Sequence, residues 1–282
     1  MKDTCLILDG FSLTYRAYFG MPDTIRTRSG LAINAVLGFY NTLTSLINQI
    51  HPRYLVVAFD LPHPTFRHTM YQPYKAQRPP MPLDLRAQIP LIREVLAACN
   101  IPILALQGYE ADDILGTITR LLPPETEAYV VTTDRDALQL VTNNVSVLVP
   151  NSRENKIFTP HIVKHEWQVP PKLIPDLKAL MGDASDNIPG VPKVGPKTAV
   201  KWLTAYGSLE NTLAAADTIK GKVGESLREH KEQTILYKDL ATIRVDAPIV
   251  WCWKSLALTQ DFSPLRETLE RIGIRASLPR TS

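Results

Sequence analysis

The sequence predicts an α/β protein whose mainly parallel β-sheet is flanked by helices and followed by a helical C-terminal module. Three observations predict it. Short apolar runs alternate with segments of helical periodicity through the first half of the chain. Several of those runs end on an aspartate. The strand-like runs then fade after about residue 173.

Leu6–Leu8 is a short apolar run ending at Asp9. Residues 33–50 place Val36, Leu37, Tyr40, Leu43, Leu46, Ile47 and Ile50 at helical spacing. Tyr54–Phe59 is a continuous apolar run, as expected of a parallel strand covered on both faces, and it ends at Asp60. The segment 63–82 carries five prolines and no periodicity, so it reads as a long loop or mobile arch. Residues 84–99 then read as a helix, Ile103–Leu106 as a strand, Ala111–Leu122 as a helix, and Tyr129–Thr133 and Val145–Val149 as strands. Further on, Leu173–Met181, Thr198–Ala205, Leu209–Ala215, Leu227–Ile243 and Pro264–Ile272 read as helices, with a frayed tail behind them. Three regions follow: a core over 1–172 with an arch at about 63–82, a helical region over 173–255, and a last helix and tail over 256–282.

Composition excludes several classes. Of 282 residues, 45% are hydrophobic and 21% charged, which suits a globular core. No run approaches the ~20 apolar residues of a membrane helix, and the N-terminal apolar run is too short for a secretion signal. Cys5, Cys99 and Cys252 are far apart and odd in number, which argues against a disulfide framework or a thiolate zinc site. A cytoplasmic protein is expected.

The acids carry the chemistry. Asp9, Asp60 and Asp134 each follow a strand, and ligands bind at the carboxyl ends of parallel strands. Glu110, Asp112 and Asp113 sit between a strand and a helix. Asp136 lies two residues past Asp134, and Asp183 and Asp186 close the set. Singly, each reads as a turn former or helix cap. Together, nine carboxylates on one edge would repel one another unless divalent cations neutralised them. Mg²⁺ takes oxygen ligands, with Mn²⁺ a substitute, and the lack of a His or Cys cluster disfavours zinc. Two such ions ~4 Å apart can activate water and stabilise a leaving oxygen.

Two basic stretches accompany the acids. Residues 188–209 hold Lys193, Lys197 and Lys201 and no acid, while residues 63–86 hold Arg67, Lys75, Arg78 and Arg86 against Asp84 alone. The glycines of the turn Gly190–Lys197 leave its backbone open to a phosphate.

With these residues in hand, the chain resembles the 5′-nuclease, flap endonuclease-like family, and within it the N-terminal 5′→3′ exonuclease domains of bacterial DNA polymerases I. The likeness runs from about residue 3 to residue 272. It rests on Leu6–Gly10, Val57–Asp60, Thr65–His68, Tyr74–Pro79, Gly108–Asp113, Thr133–Asp136, Met181–Asn187 and Gly190–Ala199, in matching order and spacing. Arg135 stands where the family commonly has lysine. The resemblance implies a PIN-like (Rossmann-like) core and a helix–hairpin–helix-type (H3TH) module. It implies that Asp9, Asp60, Glu110, Asp112 and Asp113 serve one side of a metal site and that Asp134, Asp136, Asp183 and Asp186 serve the other.

By the same resemblance, Lys75 and Arg67 offset charge at the scissile phosphate and Arg16 and Arg78 reach the DNA. Tyr74 is read two ways, as a base-stacking ring or as a buried tyrosine. Gly190, Lys193, Gly195, Lys197, Thr198 and Lys201 would grip the duplex backbone, with K⁺ at the turn. The implied activity is 5′→3′ exonuclease and 5′-flap endonuclease cleavage of DNA, and of RNA in RNA–DNA hybrids, by a monomer acting in primer removal and repair. Two other classes would use some of the same residues: a non-catalytic DNA-junction binder with structural acids, and a PIN-type RNase. The arch and helical module weigh against the RNase.

Overall fold

A computed structural model describes residues 2–259 and 261–280. Met1, Gln260 and the last two residues of the expected tail lie outside the described residues. The sheet has six strands: β1 (Thr4–Asp9), β2 (Tyr54–Ala58), β3 (Ile103–Leu104), β4 (Glu127–Val131), β5 (Val145–Val149) and β6 (Lys156–Phe158). Their order is β3-β2-β1-β4-β5-β6, all parallel except β6, which runs antiparallel to β5. The order reverses direction between β1 and β4. Both strands deliver their carboxyl ends to the crevice there, where doubly wound sheets bind ligands.

Alternation along each strand divides the core. Leu6, Leu8, Leu55 and Val57 face α2 (Asn34–Ile50), α5 (Ile89–Ala98) and α13 (Ser263–Ile272). Cys5, Ile7, Val56 and Val130 face α6 (Ala111–Arg120) and the helical module. Burial on both faces explains why β1 and β2 read as unbroken apolar runs. α1 (Gly10–Gly20) opens directly from β1, capped by the Asp9 side chain on Ser12 N at 3.0 Å.

The module comprises α8 (Ile174–Met181), α9 (Pro196–Tyr206), α10 (Leu209–Ala214), α11 (Gly221–Glu229) and α12 (Lys231–Ala241). Buried Asp176 of α8 ties it together, accepting from Leu209 N at 2.6 Å and Lys238 Nζ at 3.1 Å.

The structure corrects several sequence expectations. The helix expected over 84–99 is two helices, α4 (Leu83–Arg86) and α5. The one expected over 227–243 is broken at His230. The C-terminal tail is not frayed over its described part. Ile274 is buried, Tyr40 Oη donates to Ser277 O, and Arg280 N donates to Asn48 Oδ1.

The 63–82 segment is no free loop either. It contains α3 (Phe66–Met70) and lies fastened on the 183–187 loop. Lys75 N donates to Asp186 O at 3.1 Å, Asn187 Nδ2 to Pro73 O at 2.7 Å and Gln77 Nε2 to Ala184 O at 2.7 Å.

Candidate active site at the sheet switch point

A cavity of about 1060 Å³ opens at the carboxyl ends of β1, β2 and β4. Six of the nine expected acids line it: Asp9, Asp60, Glu110, Asp112, Asp134 and Asp183. Arg16, Lys75, Arg78, Arg135 and Lys178 line it too. Strand ends deliver Asp9 and Asp60, the first turn of α6 delivers Glu110 and Asp112, and the turn after α8 delivers Asp183.

Local bonds set each carboxylate. Asp9 accepts from Ser12 N and, at 2.8 Å, from Thr132 Oγ1. Burial, helped by the charges of Asp60 and Asp134, pushes its carboxyl up to about 7. Asp60 accepts from Ala111 N at 2.8 Å, and burial raises it as well. Asp112 is held well above the usual carboxylate range by burial and by the charges of Asp134 and Asp9. Burial would also raise Glu110. Lys75 at 2.9 Å and Arg67 at 3.5 Å overcome this and leave it below its ordinary value. Asp183 is likewise lowered against the effect of burial, because Lys178 stands 2.5 Å away and Ser185 donates to it.

The other expected ligands sit behind this ring. Asp136 is buried in contact with Lys178. Asp186 is bound by Tyr74 Oη at 3.0 Å and Arg78 at 2.8 Å. Asp113 departs furthest from expectation. It is 0% exposed, and its two oxygens accept four bonds, from Arg67 Nη1 and Nη2, Glu110 N and Arg244 N. No lone pair remains for a cation, so here Asp113 does not act as a ligand.

Its partner Arg67, 2% exposed, is buried behind Glu110 and does not line the cavity, so it is not presented to a phosphate in this arrangement. Tyr74, also 2% exposed, is buried rather than presented for stacking. Asp113 and Arg67 are corrections, Tyr74 takes the second of its two readings, and all three outcomes have one cause. Spacing alone could not tell which polar residue turns inward to satisfy another.

Lys75 keeps its expected place in the cavity wall. Its left-handed backbone (φ 55°) is held by the bond to Asp186 O. Sequence reasoning missed Lys178. Its signal was a lysine inside the apolar helix Ile174–Met181, five residues before Asp183. It also missed the rim aromatics Phe11, Tyr15 and Phe19, of which Phe19 is 74% exposed.

The basic turn lies outside the cavity but is stapled to it. Gly190 (φ 70°) packs so closely on Gly182 that any Cβ would strike the Gly182 nitrogen. Val191 N donates to Leu180 O, and Asp183 and Ile188 exchange backbone bonds. Gly195 begins α9 with no side-chain cap and no acid in the first turn, and Lys193, Lys197 and Lys201 are exposed beside it. Thr198 lies in the same first turn of α9, half-buried. Open amides and a favourable helix dipole suit a phosphate there.

Among the described residues, no three His, Cys, Asp or Glu side chains stand close enough to form a ready ligand set. The donor chemistry nevertheless fits a hard divalent cation, with six oxygen donors and no His or Cys among the cavity walls. Asp9 and Asp112 have no ion-pair partner among the described residues. No helix in the described residues is long and apolar enough to cross a membrane.

Comparisons with known proteins agree with this geometry. Residues 4–168 match the 5′-3′ exonuclease N-terminal resolvase-like domain, and residues 169–263 match the 5′-3′ exonuclease C-terminal SAM fold. DNA polymerase I of Mycobacterium leprae is 42% identical over 263 residues, 91% of this chain and 29% of that protein. DNA polymerase I of Bacillus caldotenax is 44% identical over 253 residues, 88% of this chain and 29% of that protein. The chain thus spans under a third of the length of these relatives.

Among solved structures, the zinc-bound 5′-exonuclease of T5 superposes with TM-score 0.71 at 23% identity, covering 95% of this chain and 98% of that one. The catalytic core of Rad2 with DNA gives 0.57 at 17%, covering 96% and 88%. At such identities these two report the fold. Together the family matches span most of the chain, which belongs to the 5′-3′ exonuclease family of phosphodiester-hydrolysing nucleases.

Proposed function

We propose that the chain is a divalent-metal-dependent nuclease that removes nucleotides from 5′ ends and cuts at 5′ flaps in DNA, and in RNA paired to DNA, during primer removal and repair. The observation that carries this reading is the ring of six carboxylates at the sheet switch point, faced by Arg16, Lys75 and Arg78. Asp9, Asp60, Glu110, Asp112, Asp134 and Asp183 would hold the cations. Mg²⁺ suits this all-oxygen set, and Mn²⁺ can replace it. Bound there, the ions would supply an activated water and offset charge on the phosphate.

The protein's own residues do the rest. Lys75 and Arg78 stand on the cavity wall where a phosphate would enter and stabilise its negative charge. Arg16 offers a third cation from α1. The turn Gly190–Lys197, with Thr198 and Lys201, docks the duplex backbone, and K⁺ at that turn belongs to the same reading. Its joint with Gly182 fixes the distance from the docked duplex to Asp183. Binding through phosphates predicts steep salt dependence and little sequence preference. A monomer working in the cytoplasm is part of the proposal, supported by three free cysteines.

The support from relatives is of two kinds. The curated matches are DNA polymerases I. A T5 flap endonuclease of the same fold has been seen as a complex with DNA and metal ions. The test is product analysis on a 5′-labelled flap substrate. Cleavage should be absent in EDTA and restored by Mg²⁺. Unchanged cleavage in EDTA, or none in either condition, would overturn the proposal.

A further inference from the structure

The buried pair Arg67–Asp113 does not itself line the cavity, yet it holds the segment that bears two of the cavity's acids. Arg67 makes four hydrogen bonds and one further ion-pair contact. Nη1 and Nη2 form a fork on Asp113 at 2.8 and 2.7 Å. Nε donates to Leu240 O at 2.9 Å, Nη2 also to Thr242 O at 2.8 Å, and Nη1 faces Glu110 Oε2 at 3.5 Å. Asp113 in turn accepts from Glu110 N at 3.0 Å and Arg244 N at 2.8 Å. One dry ion pair therefore joins the base of the arch, the first turn of α6 and the end of α12.

That first turn needs holding. Glu110 and Asp112 project from it into the cavity that Asp9 and Asp134 also line. A buried ion pair is a costly way to pack a core, and apolar side chains of similar volume usually do it as well. What the pair adds is direction, because the guanidinium fork fixes the carboxylate in plane and position.

We infer that Arg67 and Asp113 are positioning residues: their ion pair locks the acid-bearing turn of α6 to the end of α12, so that Glu110 and Asp112 keep their place in the cavity. The inference rests on the nuclease reading and assigns both residues a part neither metal nor DNA contact would give them. A lysine at 67 would keep the charge but lose the fork.

The experiment compares wild type with Arg67→Lys, Asp113→Asn and the double variant Arg67→Met/Asp113→Leu. The first readout is amide hydrogen exchange in metal-free protein. In Asp113→Asn the amides of Glu110 and Arg244 should exchange faster together, with β1 and β4 unchanged. The second is flap cleavage. kcat should fall roughly 10–100-fold, as for lost partners of metal-ligand segments, with half-saturating Mg²⁺ raised and KM for DNA held within about twofold.

Folded variants with wild-type kcat and metal dependence would overturn the inference. So would a loss confined to KM for DNA, which would make Arg67 a DNA contact. If the single variants do not melt cooperatively, the double variant is judged by the same outcomes. If wild type is inert with Mg²⁺, the nuclease reading fails while the exchange experiment still decides whether the lock exists.

Discussion

The acids on the two sides of the cavity are buried to a similar degree but compensated differently. Asp9, Asp60 and Asp112 accept backbone or hydroxyl hydrogens at most, and their carboxyls are raised. Asp136, Asp183 and Asp186 each have a cation in contact, Lys178 for the first two and Arg78 for the third. The difference teaches where an added cation does most. Positive charge arriving from outside favours the ionised forms of Asp9, Asp60 and Asp112 most. The second side is neutralised by the protein itself, so an ion reaching it must compete with Lys178.

This contrast can be broken by substitution. The largest effect is expected from Asp134→Ala, which removes an acid that no lysine or arginine pairs. Cleavage of a flap substrate should fall by about a thousandfold or more, several kcal/mol of lost stabilisation, while duplex affinity measured without metal stays near wild type. Unchanged turnover would remove Asp134 from the site.

Lys178→Met comes next. It leaves Asp136 and Asp183 facing each other without their ammonium, and breaking a buried pair in this way costs about 3 kcal/mol. Melting of the metal-free protein should show that loss, and Mg²⁺ should recover more of it than it adds to wild type. An equal Mg²⁺ response in both proteins would mean Lys178 does not compete for that side.

The pH profile sharpens the same comparison. A carboxyl at about 7 in the folded protein keeps a proton that the unfolded chain loses near its ordinary value of 3.8. Stability of the metal-free protein should therefore fall as pH rises from about 4 to about 7, the sign opposite to that of a salt-bridged acid. Asp9→Asn keeps the helix cap and should flatten this fall, gaining on the order of 2 kcal/mol above pH 7. A profile that rises over the window would contradict the assignment. Smallest of all, Lys193→Ala or Lys197→Ala should weaken duplex binding uniformly across sequences and each reduce the salt slope by about 1.

How much of this was legible in the sequence depended on the length scale of the signal. The strand-end aspartates were legible because a parallel strand buried on both faces writes an unbroken apolar run and its end is plain. β6 and α7 (Pro160–Trp167) went unread: β6 has three residues, two of them exposed, and α7 starts with a proline and carries only one buried residue. The glycine turn was legible because Gly190 occupies a conformation that other residues enter only at a cost. Arg67 and Asp113 were placed at the site yet turned inward, and Tyr74 took its buried reading, since burial of a polar side chain depends on partners 36 to 175 residues away in the chain. Lys178 was invisible for the same reason: its purpose appears only when Asp136 arrives from a different segment.

Divalent cations should bind where the cavity's carboxylates lack a cationic partner, at Asp9, Asp112 and Asp134. Anomalous scattering from crystals soaked in Mn²⁺ tests this most directly. The account predicts a peak within bonding distance of Asp112 and at least one of Asp9 and Asp134. A peak only beside Asp183 with Lys178 still in place, or none in the cavity, would contradict it.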